Sequence, residues 1–194
     1  KLVLTPEKEN IAYSVNTNVS YNAIGCVYKK VSGVLRVAKQ IVTSEYIWDN
    51  IRLKGGAYGG GCGFLNGNYF YMYSYRDPNV NKSYEVFKNV GNYLSEIDMD
   101  QKHLNRFIIG AVNVEDAPLK NNRINSIVLR RHYNGVTQER LDLRREEMLS
   151  VSINDIREVG QELTTAMENI VMSTVSDQTS IEKSELFKNI IVVK

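Results

Sequence analysis

Patterns typical of β-strands and patterns typical of amphipathic helices fall in separate blocks along this chain, and this order restricts its fold more than any other feature. Short segments rich in β-forming residues come first, at 11–15 and 24–28. Apolar residues at helical spacing follow over 35–51, and a strand with alternating tyrosines follows at 69–75. Five further helical segments, the last of which extends to Ile170, lead to an apolar strand at 190–193, which we expect to be buried. The order predicts an α+β fold in which a mainly antiparallel sheet carries helices packed on one face.

Several of the predicted helices begin at residues that cap helices well. Asp100 and Thr137 each precede a helical segment, and their side-chain oxygens can accept from the free N–H groups of a first turn. Ser152 and Asp155 are three residues apart and have the spacing of a capping box. We therefore predict that helices begin after Asp100, Thr137 and Ser152.

Length and composition favour one globular domain, residues 1–194, and exclude several classes of partner. The chain is 43% hydrophobic and 24% charged, and both values are ordinary for folded proteins. The tyrosine strand could stack bases, but a formal net charge of +2 is small for a nucleic-acid-binding protein. We therefore interpret this strand as a half-buried sheet face and expect no nucleic-acid partner. No run of about 18 apolar residues is present, so we expect no membrane partner. Cys26 and Cys62 are too few for a disulfide framework, and two free thiols are favoured over one bridge.

Six of the nine residues from Gly55 to Gly63 are glycines. A phosphate-binding loop needs a Lys followed by Ser or Thr after its glycines, and this run has neither. A dinucleotide-binding fingerprint needs a third glycine where Phe64 or Asn66 stands. We therefore interpret the run as a glycine-rich turn between a helix and a strand.

The residues around this run resemble those of a known family. Ile-Arg-Leu-Lys-Gly-Gly-Ala-Tyr-Gly-Gly at 51–60 is followed by Tyr-Ser-Tyr-Arg-Asp-Pro-Asn at 73–79, and weaker matches continue over 129–140 and 144–149. Together they resemble, over roughly residues 35–160, the last domain of presequence-protease-type members of the pitrilysin/insulinase zinc metallopeptidases. The chain has one more glycine than the family pattern between its Arg and its Gly-Ala-Tyr.

The resemblance implies a LuxS/insulinase-like α+β sandwich that serves as the last, non-zinc-binding domain of a longer endopeptidase acting on short unstructured peptides. In such enzymes four homologous domains close around a chamber, and the last domain extends an Arg and a Tyr toward the bound peptide. The matching positions are Arg52 and Tyr58, with Gly55, Gly56 and Ala57 beside the substrate. A guanidinium and a phenol are donors that can stabilise an oxyanion or hold a neighbouring carbonyl. The ordinary alternatives stay open: Arg52 as a cation at a helix end, and Tyr58 as a packed loop aromatic.

This sequence departs from the family pattern at the zinc motif. The first domain of such enzymes carries H-x-x-E-H, whereas the two histidines of this chain, His103 and His132, stand in no such motif. Their spacing from Cys26 and Cys62 also matches no known metal site. We therefore expect zinc to be bound by a domain absent here, and this chain alone to hold no zinc and cleave nothing. Its partners would be the peptide and the preceding domains of the same polypeptide.

Two questions stay open at this level. Some members of the superfamily have lost zinc chemistry and act as structural or assembly subunits, so an inactive scaffold is the alternative to an enzyme domain. The sequence also does not determine the compartment. A bacterial cytoplasm is favoured, and an organellar matrix is the alternative if the source is eukaryotic. The lack of an initial Met suggests a piece of a longer chain.

Overall fold

A computed structural model describes residues 9–28, 31–65 and 68–193, and a six-stranded sheet forms its centre. The strands are β1 Ile11–Ser14, β2 Ser20–Val27, β3 Gly59–Leu65, β4 Tyr69–Asp77, β5 Ile170–Ser176 and β6 Asn189–Val192. They lie in the order β3-β4-β2-β5-β1-β6. Pairs β3–β4, β4–β2 and β2–β5 are antiparallel, and pairs β5–β1 and β1–β6 are parallel. This confirms the predicted mainly antiparallel sheet.

Helices cover the face of the sheet from which its apolar side chains point. The first helix, α1 Gly33–Ile41, continues without a break into a π-helix, Val42–Leu53, so the helix predicted over 35–51 is confirmed. None of the helices in the described part of the chain is both long and apolar enough to cross a bilayer. The α-helices are α1 Gly33–Ile41, α2 Asn81–Lys88, α3 Val90–Ser95, α4 Gln101–Glu115, α5 Ile124–Tyr133, α6 Gln138–Leu149, α7 Ile153–Ala166 and α8 Gln178–Ser184.

The strand β4 shows how the sequence divides the sheet into a core face and an open face. Phe70 and Met72 are buried, whereas the alternate residues Tyr69, Tyr73 and Tyr75 are exposed. An extended chain points successive side chains to opposite faces, so this alternation separates the apolar side chains of Phe70 and Met72 from the tyrosine phenols. The tyrosines thus share one face, as the alternation predicted.

The predicted helix starts are confirmed by direct contacts. The Asp100 carboxylate accepts from the backbone N–H of His103 at 2.7 Å, and the Thr137 hydroxyl accepts from that of Arg140 at 3.3 Å. Ser152 and Asp155 form a complete capping box at the start of α7.

Three predicted segments differ from the structure. The glycine run was predicted to be a turn throughout, but its second half is β3, in which Gly61 and Gly63 lie under the rings of Tyr73 and Tyr71. A Cβ at Gly63 would lie 2.6 Å from the Tyr71 hydroxyl, so the glycines make room for aromatic rings on the neighbouring strand.

The other two differences concern strands near the C-terminus. Residue Ile170 was predicted to lie in a helix, but it begins β5, which inserts between β2 and β1. The last strand was predicted to be buried, and it is an edge strand in which Ile191 and Val192 are exposed. Apolar composition alone does not distinguish a central strand from an edge strand, because the neighbours decide burial.

Candidate functional site

Arg52 lies in the last turn of the π-helix, and Trp48 orients its side chain. The guanidinium carbon is 4.2 Å from the centroid of the Trp48 ring, which is the arrangement of a cation–π contact. Trp48 is one helical turn before Arg52, and both side chains are exposed. Among the described residues Arg52 has no carboxylate partner, so its N–H donors remain available on the surface.

Directly after Arg52 the chain reverses through Gly55, Gly56 and Ala57. The N–H of Gly56 donates to the Arg52 carbonyl at 3.0 Å, and the N–H of Ala57 donates to the Ile51 carbonyl at 3.1 Å. This pair of bonds resembles a Schellman motif in which each hydrogen bond spans one residue more than usual, as expected after a π-helical last turn. Gly56 has φ +78°, a conformation that favours glycine, and Ala57 is buried beneath the turn.

Tyr58 follows this turn and has its ring on the surface. Its side chain is 68% exposed, and the ring makes an edge contact with Tyr75 at a centroid distance of 5.9 Å. No side-chain partner is present for the Tyr58 hydroxyl among the described residues. Its backbone is fixed, because the N–H of Tyr58 donates to the carbonyl oxygen of Arg76 at 3.2 Å. A fixed main chain therefore presents a free phenol.

Arg76 belongs to the same surface and was not predicted as a site residue. It has φ +48°, and its guanidinium carbon is 5.6 Å from the centroid of the Tyr75 ring. A hydrogen bond to Tyr21 is the first of several contacts that raise the pKa of Arg76. Tyr75 also packs edge-on against Tyr21 at 5.3 Å, so a short aromatic and cationic strip extends from Tyr58.

A buried polar network behind the strip ties the end of β4 to the turn after Arg52. The fully buried Asp77 carboxylate accepts from the Ser83 hydroxyl at 2.5 Å, from the backbone N–H of Asn79 at 2.9 Å and from the Asn22 amide at 3.3 Å. The side-chain amide of Asn79 then donates to the Gly55 carbonyl at 2.6 Å. The sequence signal for this network is the Asp-Pro-Asn segment at 77–79, which predicted the family but not the network.

The candidate metal ligands of the sequence do not come together. In the part of the chain that the structure describes, no three His, Cys, Asp or Glu side chains form a group able to hold a metal ion. His103 instead pairs with Glu45 through its Nε2 at 2.8 Å, and His132 lies on exposed α5. Cys26 and Cys62 are buried free thiols, and burial raises the pKa of each to about 11. These residues do not fit a zinc site.

Comparison with known proteins places this geometry in a family. A family model described as the PreP C-terminal domain matches residues 10–178. The chain is 30% identical over 188 residues to Protein HypA of Clostridium perfringens, and 32% identical over 190 residues to Presequence protease 1, chloroplastic/mitochondrial, of Arabidopsis thaliana. These matches cover 94% and 92% of this chain but only 19% and 18% of the relatives, so the chain spans about a fifth of their length.

Solved structures share the fold at low identity. A peptidase M16 inactive domain from Pseudomonas fluorescens matches with a TM-score of 0.66 at 11% identity, over 92% of this chain and 46% of that one. Pitrilysin matches with a TM-score of 0.62 at 15% identity, over 99% of this chain and 22% of that one. The motif around the glycine run agrees with the family match, and the chain belongs to the PreP C-terminal domain family.

Proposed function

We propose that this chain is the last domain of a longer zinc-dependent endopeptidase, and that it binds short unstructured peptides for cleavage. The observation that carries the proposal is the pair Arg52 and Tyr58: two exposed hydrogen-bond donors on either side of one rigid turn, each without a polar partner among the described residues. Free donors that are already oriented are what recognition of a peptide carbonyl requires.

The local structure supports a role in binding a peptide carbonyl or a developing oxyanion. Contact with Trp48 limits the rotamers of Arg52 before a ligand arrives, so less conformational entropy is lost on binding. The bond from the Tyr58 N–H to Arg76 limits the Tyr58 backbone in the same way. Zinc binding is assigned to a preceding domain, since the described residues offer no metal cluster, and the role proposed here is hydrogen bonding to the peptide alone.

We assign Gly55, Gly56 and Ala57 to the approach of the peptide. The N–H groups of Gly56 and Ala57 already donate within the turn, and the Gly55 carbonyl already accepts from Asn79. Because these residues have no side chain or only a methyl group, the peptide could pass close to their backbone between Arg52 and Tyr58. The preceding domains of the same polypeptide would form the opposite wall.

The test is peptide hydrolysis by the full-length protein that contains this chain. With a quenched fluorescent unstructured peptide, we expect Arg52→Ala to lower kcat/KM about a hundredfold, or about 2.7 kcal/mol, with zinc content unchanged. Tyr58→Phe removes only the hydroxyl and should lower kcat/KM in the same direction. Arg106→Ala, an exposed arginine on α4, is the matched control and should equal the wild type.

The outcomes separate the enzyme from the scaffold. Equal rates for Arg52→Ala and wild type would reduce Arg52 to a helix-end cation and contradict the assigned role. A full-length protein that neither binds zinc nor cleaves would support the inactive scaffold, a role that the inactive domain from Pseudomonas fluorescens makes reasonable for this fold. The similar proteins include a bacterial one and a chloroplastic or mitochondrial one, so both compartments considered from the sequence remain compatible with the family.

A further inference from the structure

A groove of about 740 Å³ lies where the end of β3 meets α4, α5 and α6, on residues that the proposed peptide contact does not use. Its walls carry an unusual excess of guanidinium groups. We call it the arginine groove, after the five arginines that line it: Arg36, Arg130, Arg131, Arg140 and Arg144.

Among the described residues that line the arginine groove, one is a carboxylate, Glu115, and two of the arginines share it. Arg144 Nη1 is 2.9 Å from Glu115 Oε1, and Arg36 Nε is 3.9 Å from Glu115 Oε2. That Nε atom is buried with no hydrogen-bond partner in the described part of the chain. Burial lowers the pKa of Arg36, Glu115 opposes this shift, and the repulsion of Arg144 adds a smaller lowering. Within the described lining, this single carboxylate stands against five guanidinium groups.

The other three arginines of the groove have no ion pair among residues 9–28, 31–65 and 68–193. They are Arg130 and Arg131 at the end of α5, and Arg140 in the first turn of α6. Three free guanidiniums around one cavity create a positive field that attracts anionic ligands, and each can bind a carboxylate through two N–H groups.

The remaining lining favours a peptide over a nucleic acid. Leu65, Val114 and Leu119 line the groove and are exposed, so it offers aliphatic contact between the charges. The one aromatic ring in the described lining, Phe64, packs against Phe70 at a centroid distance of 5.2 Å and is not free to stack on a base. Nucleic-acid sites for single strands depend on such stacking, whereas a peptide with carboxylates and aliphatic side chains matches both kinds of contact.

The strand β3 connects the groove to the proposed peptide contact. It begins one residue after Tyr58, and its last residues, Phe64 and Leu65, line the groove. β3 is an edge strand, so within the described sheet its outer backbone groups have no strand partner. Seven residues of extended chain from Tyr58 to Leu65 span ~23 Å. A peptide added along this edge would reach the arginine groove after about seven residues.

We propose that the arginine groove binds an acidic, aliphatic stretch of the peptide substrate, about seven residues from the carbonyl held at Arg52 and Tyr58. This rests on the proposed function in taking the occupant to be the substrate. It adds a selectivity that the site at Arg52 and Tyr58 lacks, because carbonyl binding there is indifferent to side chains.

The first test is binding to this chain, measured by fluorescence anisotropy with a labelled, unstructured decapeptide of Glu and Leu. We expect Arg130→Gln/Arg131→Gln to weaken binding about tenfold, and a peptide with every Glu replaced by Gln to bind about tenfold more weakly to the wild type. Lys102→Gln/Arg106→Gln removes the same charge from the exposed start of α4, away from the groove, and should change binding less than about twofold.

Three results would overturn the proposal. They are absence of binding to the wild type, equal binding by Arg130→Gln/Arg131→Gln, and tighter binding of a single-stranded oligonucleotide of equal charge, which would make the groove a general polyanion site.

The second test separates this proposal from the proposed function by using the full-length protein. With two substrates that differ only in a distal acidic stretch, Arg130→Gln/Arg131→Gln should raise KM for the acidic one about tenfold and leave kcat unchanged. Arg52→Ala should lower kcat/KM for both substrates alike. If the groove variant instead raises KM for both substrates equally, or for neither, the arginines do not recognise the acidic stretch and the proposal is wrong.

Discussion

The backbone N–H of Tyr58 donates to the carbonyl oxygen of Arg76, and through this bond the end of β4 holds the residue that we propose touches the peptide. The two residues are far apart in sequence and meet because β3 and β4 are paired, with Gly59 opposite Tyr75. Arg76 itself has a left-handed backbone at φ +48°. The position of Tyr58 therefore depends on a strained residue that belongs to another strand.

Substitution of Arg76 tests this dependence. Glycine adopts positive φ freely and a β-branched residue does not, so we expect Arg76→Gly to keep the thermal midpoint of this chain and Arg76→Val to lower it. Differential scanning calorimetry of both variants gives the comparison. Both variants lack the guanidinium, so the loss of its contacts with Tyr21 and Tyr75 cancels when the two midpoints are compared. Equal midpoints would show that the backbone at Arg76 is unstrained.

The Asp77 network should be a major source of local stability. Asp77→Ala would leave the Ser83 hydroxyl and the Asn22 amide buried without this acceptor, at a cost of about 3 kcal/mol in the free energy of unfolding. Urea denaturation followed by circular dichroism measures it. Asp98→Ala removes an exposed carboxylate on the same chain and should cost less than about 0.5 kcal/mol. Equal losses in the two variants would contradict a special role for the buried carboxylate.

The glycines on either side of Tyr58 should respond very differently to an added methyl group. At Gly55 a Cβ would lie 2.5 Å from the Ile51 carbonyl oxygen, so Gly55→Ala must shift the turn after Arg52 and should cost about 1–3 kcal/mol. At Gly59 a Cβ would meet no atom within 4 Å, and Gly59→Ala should be neutral within about 0.5 kcal/mol. Chemical denaturation of both variants is the measurement. A neutral Gly55→Ala would show that the turn is loose, which conflicts with a rigid site.

Alkaline pH should weaken the fold through its buried thiols. Burial raises the pKa of Cys62 from 9.0 to about 11, so above about pH 9 the unfolded chain loses this proton before the folded chain does. The stability from this thiol is therefore complete below pH 9 and is lost as pH rises toward 11, by about 1.4 kcal/mol for each pH unit. Unfolding free energies measured between about pH 8 and 10 should fall less steeply in Cys62→Ala than in the wild type. Parallel curves would mean that the Cys62 thiol ionises equally in both states.

Much of the local structure follows from the sequence because its causes are local. The capping side chains of Asp100, Thr137 and Ser152 act on N–H groups three residues away, and the structure confirms all three. The tyrosines of β4 share one face because the strand period is two. The motif around Arg52 and Tyr58 was enough to predict the family, which the match over residues 10–178 confirms.

The parts of the fold and of the site that were not predicted from the sequence depend on contacts between residues distant in sequence. Glycine-rich β3 is a strand because β4 pairs with it and places tyrosine rings over its glycines, and β5 is a strand because β2 and β1 lie on either side of it. Likewise, only the folded chain brings Asn79 to the Gly55 carbonyl and gathers arginines from α1, α5 and α6 around one groove. The sequence by itself determined which residues can cap a helix, which side chains alternate between the two faces of a strand, and which side chains can donate hydrogen bonds. The tertiary structure decided which of them meet, because pairing across a sheet and packing between helices are set by neighbours that no local pattern specifies.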